Sequence, residues 1–178
     1  MEAKGRATDK ILASAVSVMG LKDPEQVTLD EIAIRANLSR GLIIYHFGSL
    51  AGLTKVVHEY LYFRLEQVWL LKPGSLLQAC LDWAMLMSEE PDLFRLYLSL
   101  SNRLGEDSHR LIAFRTAMNR KIREYVYELQ FPLPAATATA FCAWWEGASM
   151  QSLVEEDPGK AFRDRTRAYL SWMVRISS

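Results

Sequence analysis

Two helix-starting signals stand close together in this chain, at Thr28 and at Ser39, and any fold it adopts must place a short helix after each. Thr28 and Glu31 have the spacing of a capping box, in which the Thr hydroxyl and the Glu carboxylate each satisfy a backbone N–H left open by the first helical turn. Behind that cap, Leu29, Ile32, Ala33 and Ala36 recur at helical spacing and form one narrow apolar face. Asn37 suits a helix exit because Asn tolerates the left-handed conformation. Ser39 can then cap the second helix through its hydroxyl. Helices this short need tertiary support, so residues 28–47 read as a helix-turn-helix leaning on a neighbour.

The preceding segment supplies that neighbour. Its first ten residues are polar and are expected to fray, leaving Lys4 and Arg6 to reach a partner. Thr8 or Asp9 can cap a helix carrying Ile11, Leu12, Ala15, Val16 and Met19, which Gly20 or the Lys22-Asp23-Pro24 turn ends. After Phe47, Ser49 can cap a long helix running through Val56, Val57, Tyr60, Leu61, Phe63, Leu65, Val68 and Trp69, with Lys72-Pro73-Gly74 as its stop. Ser75 and Gln78 make a second capping box, opening a helix through Leu77, Leu81, Met85 and Met87. Pro91 fits the first turn of the next helix. Gly105 is a break, a helix starts near Ser108, Pro132 and Pro134 punctuate, and a helix runs from Ala135 to about Val154. Asp157-Pro158 caps the last helix, from Ala161 to about Ile176. No stretch alternates as a strand would. The expectation is an all-α fold of about nine helices, with a three-helix head at residues 1–48 and a helical body at 49–178.

Composition bounds what this fold can do. Half of the 178 residues are apolar, enough for a sizeable core, and the formal net charge is zero. The head is balanced as well: Lys4, Arg6, Lys10, Lys22, Arg35 and Arg40 face Glu2, Asp9, Asp23, Glu25, Asp30 and Glu31. A basic footprint, the usual first sign of nucleic-acid binding, is therefore missing. Any DNA contact must rest on where the bases sit. Cys80 and Cys142 are far apart and read as buried thiols. No apolar run approaches the ~20 residues that span a bilayer, and the N-terminus lacks the apolar segment of a signal peptide, so a cytoplasmic protein is expected. Neither a phosphate-binding glycine loop, nor a metal-binding His-Glu-His spacing, nor a nucleophile elbow occurs. No enzyme activity, cofactor or metal is expected.

With these helices placed, the N-terminal third resembles the TetR-type family of bacterial transcriptional repressors. The residues that carry the resemblance are Ile11-Leu12 with Ala15, Thr28 with Ile32-Ala33, and Ser39-Arg40-Gly41 with Tyr45-His46-Phe47, together covering about residues 8–53. Three positions depart from the family pattern: Ile44 replaces an aromatic, Leu50 a lysine, and Asp23-Pro24 the glycine before the second helix. Ile44 and Leu50 fall where family members approach the DNA backbone, which implies fewer phosphate contacts.

The resemblance implies a homodimer on a near-palindromic DNA operator, with the second helix of the pair in the major groove. Arg40 is the prime candidate for a guanine or phosphate contact, because its fork matches both. Thr28 and Ser39, at helix N-termini, serve as caps, as phosphate ligands, or as both. Tyr45 and His46 can donate to phosphates, while Leu42 and Ile44 can meet thymine methyls. Gly41 costs about 1 kcal/mol within a helix relative to Ala, and close approach to DNA is one reason to keep it. Ile43 and Phe47 fill the head's core.

For the body the resemblance implies an effector pocket and a dimer interface. Trp69, Trp83, Met87, Phe114, Met118 and Trp144 are candidates to line a pocket for a small hydrophobic or aromatic ligand, with core packing as the alternative role. Phe141, Trp145 and Ser149 on the penultimate helix, opposite Tyr169, Trp172 and Met173 on the last, are candidates for an isologous interface. The resulting expectation is a DNA-binding regulator, a repressor released by its ligand. The rival is a helical hydrophobe-binding or protein-interaction protein without specific DNA binding, which neutral charge and Leu50 favour.

Overall fold

The computed structural model describes residues 2–71, 74–101, 108–130 and 134–177. Among them are nine α-helices and no strand: α1 (Glu2–Leu21), α2 (Leu29–Ala36), α3 (Arg40–Phe47), α4 (Leu50–Glu66), α5 (Leu76–Glu89), α6 (Pro91–Ser101), α7 (Ser108–Glu128), α8 (Pro134–Ser152) and α9 (Pro158–Ser177). A 3-10 turn at Pro24–Gln26 precedes α2, and a π-helical turn at Gln67–Leu71 continues α4. The all-α expectation holds. The breaks expected at Lys72-Pro73, Gly105 and Pro132 lie outside the described residues. No helix among the described residues is long and apolar enough to cross a membrane.

The chain forms two compact units, Met1–Arg64 with Asp92–Asn102, and Leu65–Pro91 with Arg103–Ser178. The junction expected at residues 48/49 thus falls inside the first unit, which takes in most of α4 and all of α6 but Pro91.

In the first unit α1 begins at Glu2, ahead of the expected cap at Thr8 or Asp9. Glu2, Ala3, Lys4, Arg6 and Ala7 are good helix formers, so the helix propagates through them. Its core face is Ile11, Ala15, Val16, Val18 and Met19; α1 packs on α2 and α2 on α3, and Leu29, Ile32, Ala33 and Ala36 of α2, Ile43 of α3, and Leu53, Val57, Leu61 and Tyr62 of α4 are buried in the same unit. Tyr62 points inward where periodicity favoured Phe63, which is exposed. Gly20 permits a close crossing of α6: a Cβ there would stand 2.7 Å from the Asp92 carbonyl oxygen. Asp92 is tied down at that crossing, accepting from the Ser17 hydroxyl and pairing with Arg95.

In the second unit α5 turns a different face inward from the one expected. Leu77, Leu81 and Met85 are exposed, whereas Leu76, Ala79, Cys80, Trp83, Ala84, Leu86 and Met87 are buried. The helix is apolar on nearly every side, so periodicity could not choose, and the larger Trp83 face won the core. Burial pushes the Cys80 thiol up to about 12, which keeps it protonated. α5 packs extensively on α9, and Gly159 makes this possible: a Cβ there would lie 2.2 Å from the Ala84 carbonyl oxygen. Asp157 caps α9 as expected, accepting from the Lys160 backbone N–H at 2.9 Å and from the Ser88 hydroxyl at 2.9 Å. Those two bonds, the backbone one first, hold its carboxyl below the usual aspartate value.

Candidate functional site

The hydroxyl half of each capping signal forms as the sequence requires, whereas the Glu31 carboxylate turns to Lys22 and leaves Oε2 without a hydrogen-bond partner among the described residues. Thr28 is extended (φ −124°, ψ 152°) and its hydroxyl accepts from the Glu31 N–H at 3.3 Å. The Glu31 carboxylate pairs with Lys22, which lowers its pKa, and Thr28's backbone N–H and hydroxyl lower it further. Asn37 leaves α2 in the left-handed region (φ 52°, ψ 48°). The following Leu38 N–H returns to the Ala33 carbonyl at 3.0 Å. Ser39 then caps α3, its Oγ accepting from the Leu42 N–H at 3.2 Å. Gly48 ends α3 at φ 76°, and Ser49 starts α4 by accepting from the Gly52 N–H at 3.1 Å.

Of α3's eight residues only Ile43 is buried. Leu42, His46 and Phe47 are half-buried, and Arg40, Gly41, Ile44 and Tyr45 are exposed, Tyr45 by 72%. The helix RGLIIYHF is largely apolar yet buries only Ile43 fully and leaves Ile44 and Tyr45 exposed. Phe47, expected in the core, is therefore only half covered. Thr28, Ser39 and Arg40 are exposed as well. Tyr45 and His46 meet edge to face, ring centroids 5.2 Å apart.

Two features of this region escaped the sequence reading. Arg40 donates from Nη1 to Asp30 Oδ2 at 3.2 Å, a pairing ten positions apart that depends on the angle between the two helices. An open apolar groove of about 380 Å³ is lined by Val18, Leu21, Lys22, Glu31, Ile34 and Arg35. Ile34 is 80% exposed there. Its signal in the sequence was an isoleucine standing off the Leu29–Ile32–Ala36 face.

In the second unit Trp69, Trp83, Met87, Phe114 and Met118 are buried, and Trp144 half-buried. Trp69 and Trp83 meet with ring centroids 6.2 Å apart, and Trp145 packs against both at 4.7 and 5.1 Å. Trp83 Nε1 donates to Ser149 Oγ at 3.0 Å, whereas the buried Nε1 atoms of Trp69 and Trp145 have no hydrogen-bond partner among the described residues. The π-helical turn carries Trp69 into this cluster. Trp144 instead stacks on Tyr169, centroids 4.3 Å apart and planes 15° apart.

The expected dimer face needs correction. Phe141, Trp145 and Ser149 are at most 1% exposed within their own chain, so they leave nothing for a second chain to cover. The volume of the two aromatic rings draws that face into the core. The face of α8 left outward carries Ala136, Ala140, Ala143, Gly147 and Met150. On α9, Trp172 is 56% exposed and Tyr169 half-buried; the Met173 side chain lies outside the described ones. A Cβ on Gly147 would meet nothing within 4 Å.

Residues 11–57 match the family model of the bacterial regulatory proteins of the tetR family. No curated protein matches the chain in sequence. Among solved structures, the fold is similar to a TerR/AcrR-family transcriptional regulator of Aquifex aeolicus, with TM-score 0.67 and 16% identity over 92% of this chain and 99% of that one. It is also similar to the TetR-family regulator PfmR of Thermus thermophilus, with TM-score 0.66 and 18% identity over 94% and 95%. NalD of Pseudomonas aeruginosa, the secondary repressor of the MexAB-OprM multidrug efflux pump, is similar with TM-score 0.63 and 20% identity over 98% and 97%.

Proposed function

From a chain that carries the N-terminal domain of the tetR family of bacterial regulatory proteins on the all-α fold of TetR/AcrR-type regulators, we propose a dimeric transcriptional repressor that a small ligand releases from its operator. The observation that carries the DNA-binding part is α3, whose eight residues bury only Ile43. An apolar, capped helix so exposed is suited to a groove in a partner, and a B-DNA major groove admits one helix. In this reading residues 1–48 bind DNA and 49–178 bind the effector and the second chain. Arg40, with Gly41, Leu42 and Ile44, approaches base edges and sugar–phosphate backbone. Thr28, Ser39, Tyr45 and His46 hold phosphates. The match of residues 11–57 to a family of regulatory proteins supports a regulator over an enzyme.

Dimerisation runs through the outward face of α8, together with Trp172 and Tyr169 of α9. Small residues at Ala136, Ala140, Ala143 and Gly147 let two α8 helices approach closely. A two-fold pair of this kind would set the recognition helices about 34–36 Å apart, one turn of B-DNA. The effector site lies among Trp69, Trp83, Met87, Phe114, Met118 and Trp144, where the buried Trp69 indole N–H, without a hydrogen-bond partner among the described residues, favours a neutral, flat ligand carrying an acceptor. Such a ligand releases DNA only if it binds better to the chain pair whose heads are wrongly spaced.

The test is a gel shift with DNA upstream of the protein's own coding region, comparing wild type with Arg40→Ala. A sequence-specific shift that Arg40→Ala abolishes is expected; a shift that is absent, or indifferent to Arg40, refutes the DNA reading. Sedimentation of wild type and Gly147→Arg tests the interface, with a monomeric wild type refuting it.

A further inference from the structure

An acid on a DNA-facing surface repels phosphate, so Asp30 beside Arg40 calls for an explanation. The two side chains are joined Nη1 to Oδ2 at 3.2 Å, and both are exposed, 57% for Arg40 and 62% for Asp30. Asp30 lies in the first turn of α2 and Arg40 is the first residue of α3. The pair therefore bridges the start of one helix to the start of the other, on the side where both caps open to solvent. An arginine offers five N–H donors in a planar fork. With one Nη1 hydrogen committed to Asp30, the edge formed by Nε and Nη2 remains for a partner. That edge can make two parallel bonds, the geometry that guanine O6 and N7 demand.

We propose that Asp30 is a positioning residue for base recognition: it fixes the Arg40 guanidinium so that its Nε–Nη2 edge faces a guanine and is withheld from the phosphates. This inference rests on the DNA-binding reading of α3. A free arginine on a long stem settles on phosphate as readily as on a base, and a phosphate contact carries no sequence information. Asp30 works against that outcome in two ways. It occupies one donor, fixing the plane of the fork, and its negative charge raises the cost of a phosphate lying alongside. The pair thus gives up general affinity in exchange for discrimination.

The role makes an opposed pair of expectations that a helix-stabilising acid would not produce. Asp30 is also placed to favour the positive end of α2; loss of that role alone would lower melting temperature and weaken binding to every sequence alike. If Asp30 positions Arg40, Asp30→Ala binds random-sequence DNA more tightly than wild type does, while its preference for the selected site over random DNA falls by about tenfold or more, the lower part of what a bidentate base contact supplies. The salt dependence of binding becomes steeper by about one phosphate contact, because Arg40 moves to the backbone.

The probes are the duplex that wild-type protein enriches from a randomised library and a scrambled duplex of equal length, each titrated at several salt concentrations. Asp30→Asn, which keeps an oxygen acceptor but no charge, is expected to lie between wild type and Asp30→Ala. In an Arg40→Ala background, Asp30→Ala is expected to leave the preference unchanged. An Asp30→Ala protein that discriminates as well as wild type overturns the inference and leaves the DNA reading standing. Equal loss in both backgrounds overturns it too, since the effect then does not pass through Arg40. If wild type enriches no sequence at all, the DNA reading fails and this inference falls with it.

Discussion

Gly41→Ala separates what the head needs for itself from what it needs for a partner. Gly41 is the second residue of α3, where alanine is the better helix former. A Cβ there would meet only Ser39 Oγ, at 4.0 Å, an ordinary contact. Nothing within the chain opposes the methyl, so the substitution keeps the full benefit of a less flexible unfolded state, about 0.4–1 kcal/mol. For a chain of this length 1 kcal/mol moves the melting temperature by about 2–4 °C, and a rise of about 1–4 °C is expected.

DNA binding should move the other way. If Gly41 faces the sugar–phosphate backbone, the added methyl holds α3 away from the groove and weakens every contact beyond it. A loss of about 1.4 kcal/mol would appear as a tenfold weaker dissociation constant, and at least that is expected. Melting curves and fluorescence-anisotropy titrations on the same preparation measure both effects. A Gly41→Ala protein that melts higher and binds its operator as tightly as wild type would refute the placement of α3 against DNA. One that melts lower would refute the claim that the site is empty within the chain.

Gly159→Ala should do the reverse of Gly41→Ala in stability: its Cβ would collide with the Ala84 carbonyl oxygen at 2.2 Å, forcing α9 off α5, and a cost of about 1–3 kcal/mol is expected by thermal or denaturant melting. Ser149→Ala removes the acceptor of the Trp83 indole bond at 3.0 Å; a buried donor left alone costs about 1–3 kcal/mol, and adding Trp83→Phe should recover part of the loss. Asp157 has a folded pKa below the ordinary 3.8, so its stabilisation is complete above that value and disappears as pH falls through the lower folded one. Asp157→Asn should therefore flatten the acid limb of melting temperature against pH and lower the plateau near neutrality; an unchanged acid limb would rule out the cap as its source.

The helix starts were largely legible because their determinants are local. Thr28, Ser39, Ser49, Ser75 and Asp157 each bond a backbone N–H three residues ahead, a distance that helix geometry sets without reference to the rest of the molecule. The α2 core face could be read for the same reason, since apart from Ile34 its other sides are polar. On α5 and α8 the same method chose wrongly, because there both sides are apolar and only a neighbouring helix can decide. Leu77, Leu81 and Met85 fit helical spacing as well as Trp83 and Met87 do. The Arg40–Asp30 pair and the Trp69–Trp83–Trp145 cluster were beyond reach on similar grounds: each joins residues on different helices, and spacing along one helix says nothing about the crossing angle.

The glycines separate internal from external demands better than the aromatic residues do. At Gly20, Gly52 and Gly159 an added Cβ would come within 2.7 Å of a carbonyl oxygen, belonging to Asp92, Phe47 and Ala84 respectively, so each is explained by one helix crossing or abutting another in the same unit. Gly41 and Gly147 also lie inside helices, where glycine is unfavourable by about 1 kcal/mol, yet no such neighbour stands against them. The two are on α3 and α8, the helices assigned above to DNA and to the second chain. A helix that forgoes stability at a position its own fold leaves open is well suited to let another surface come close there. Bulky aromatic side chains misled at α8 because burying them within the chain is always available. An unexplained glycine has no such internal use, and it points outward in both places.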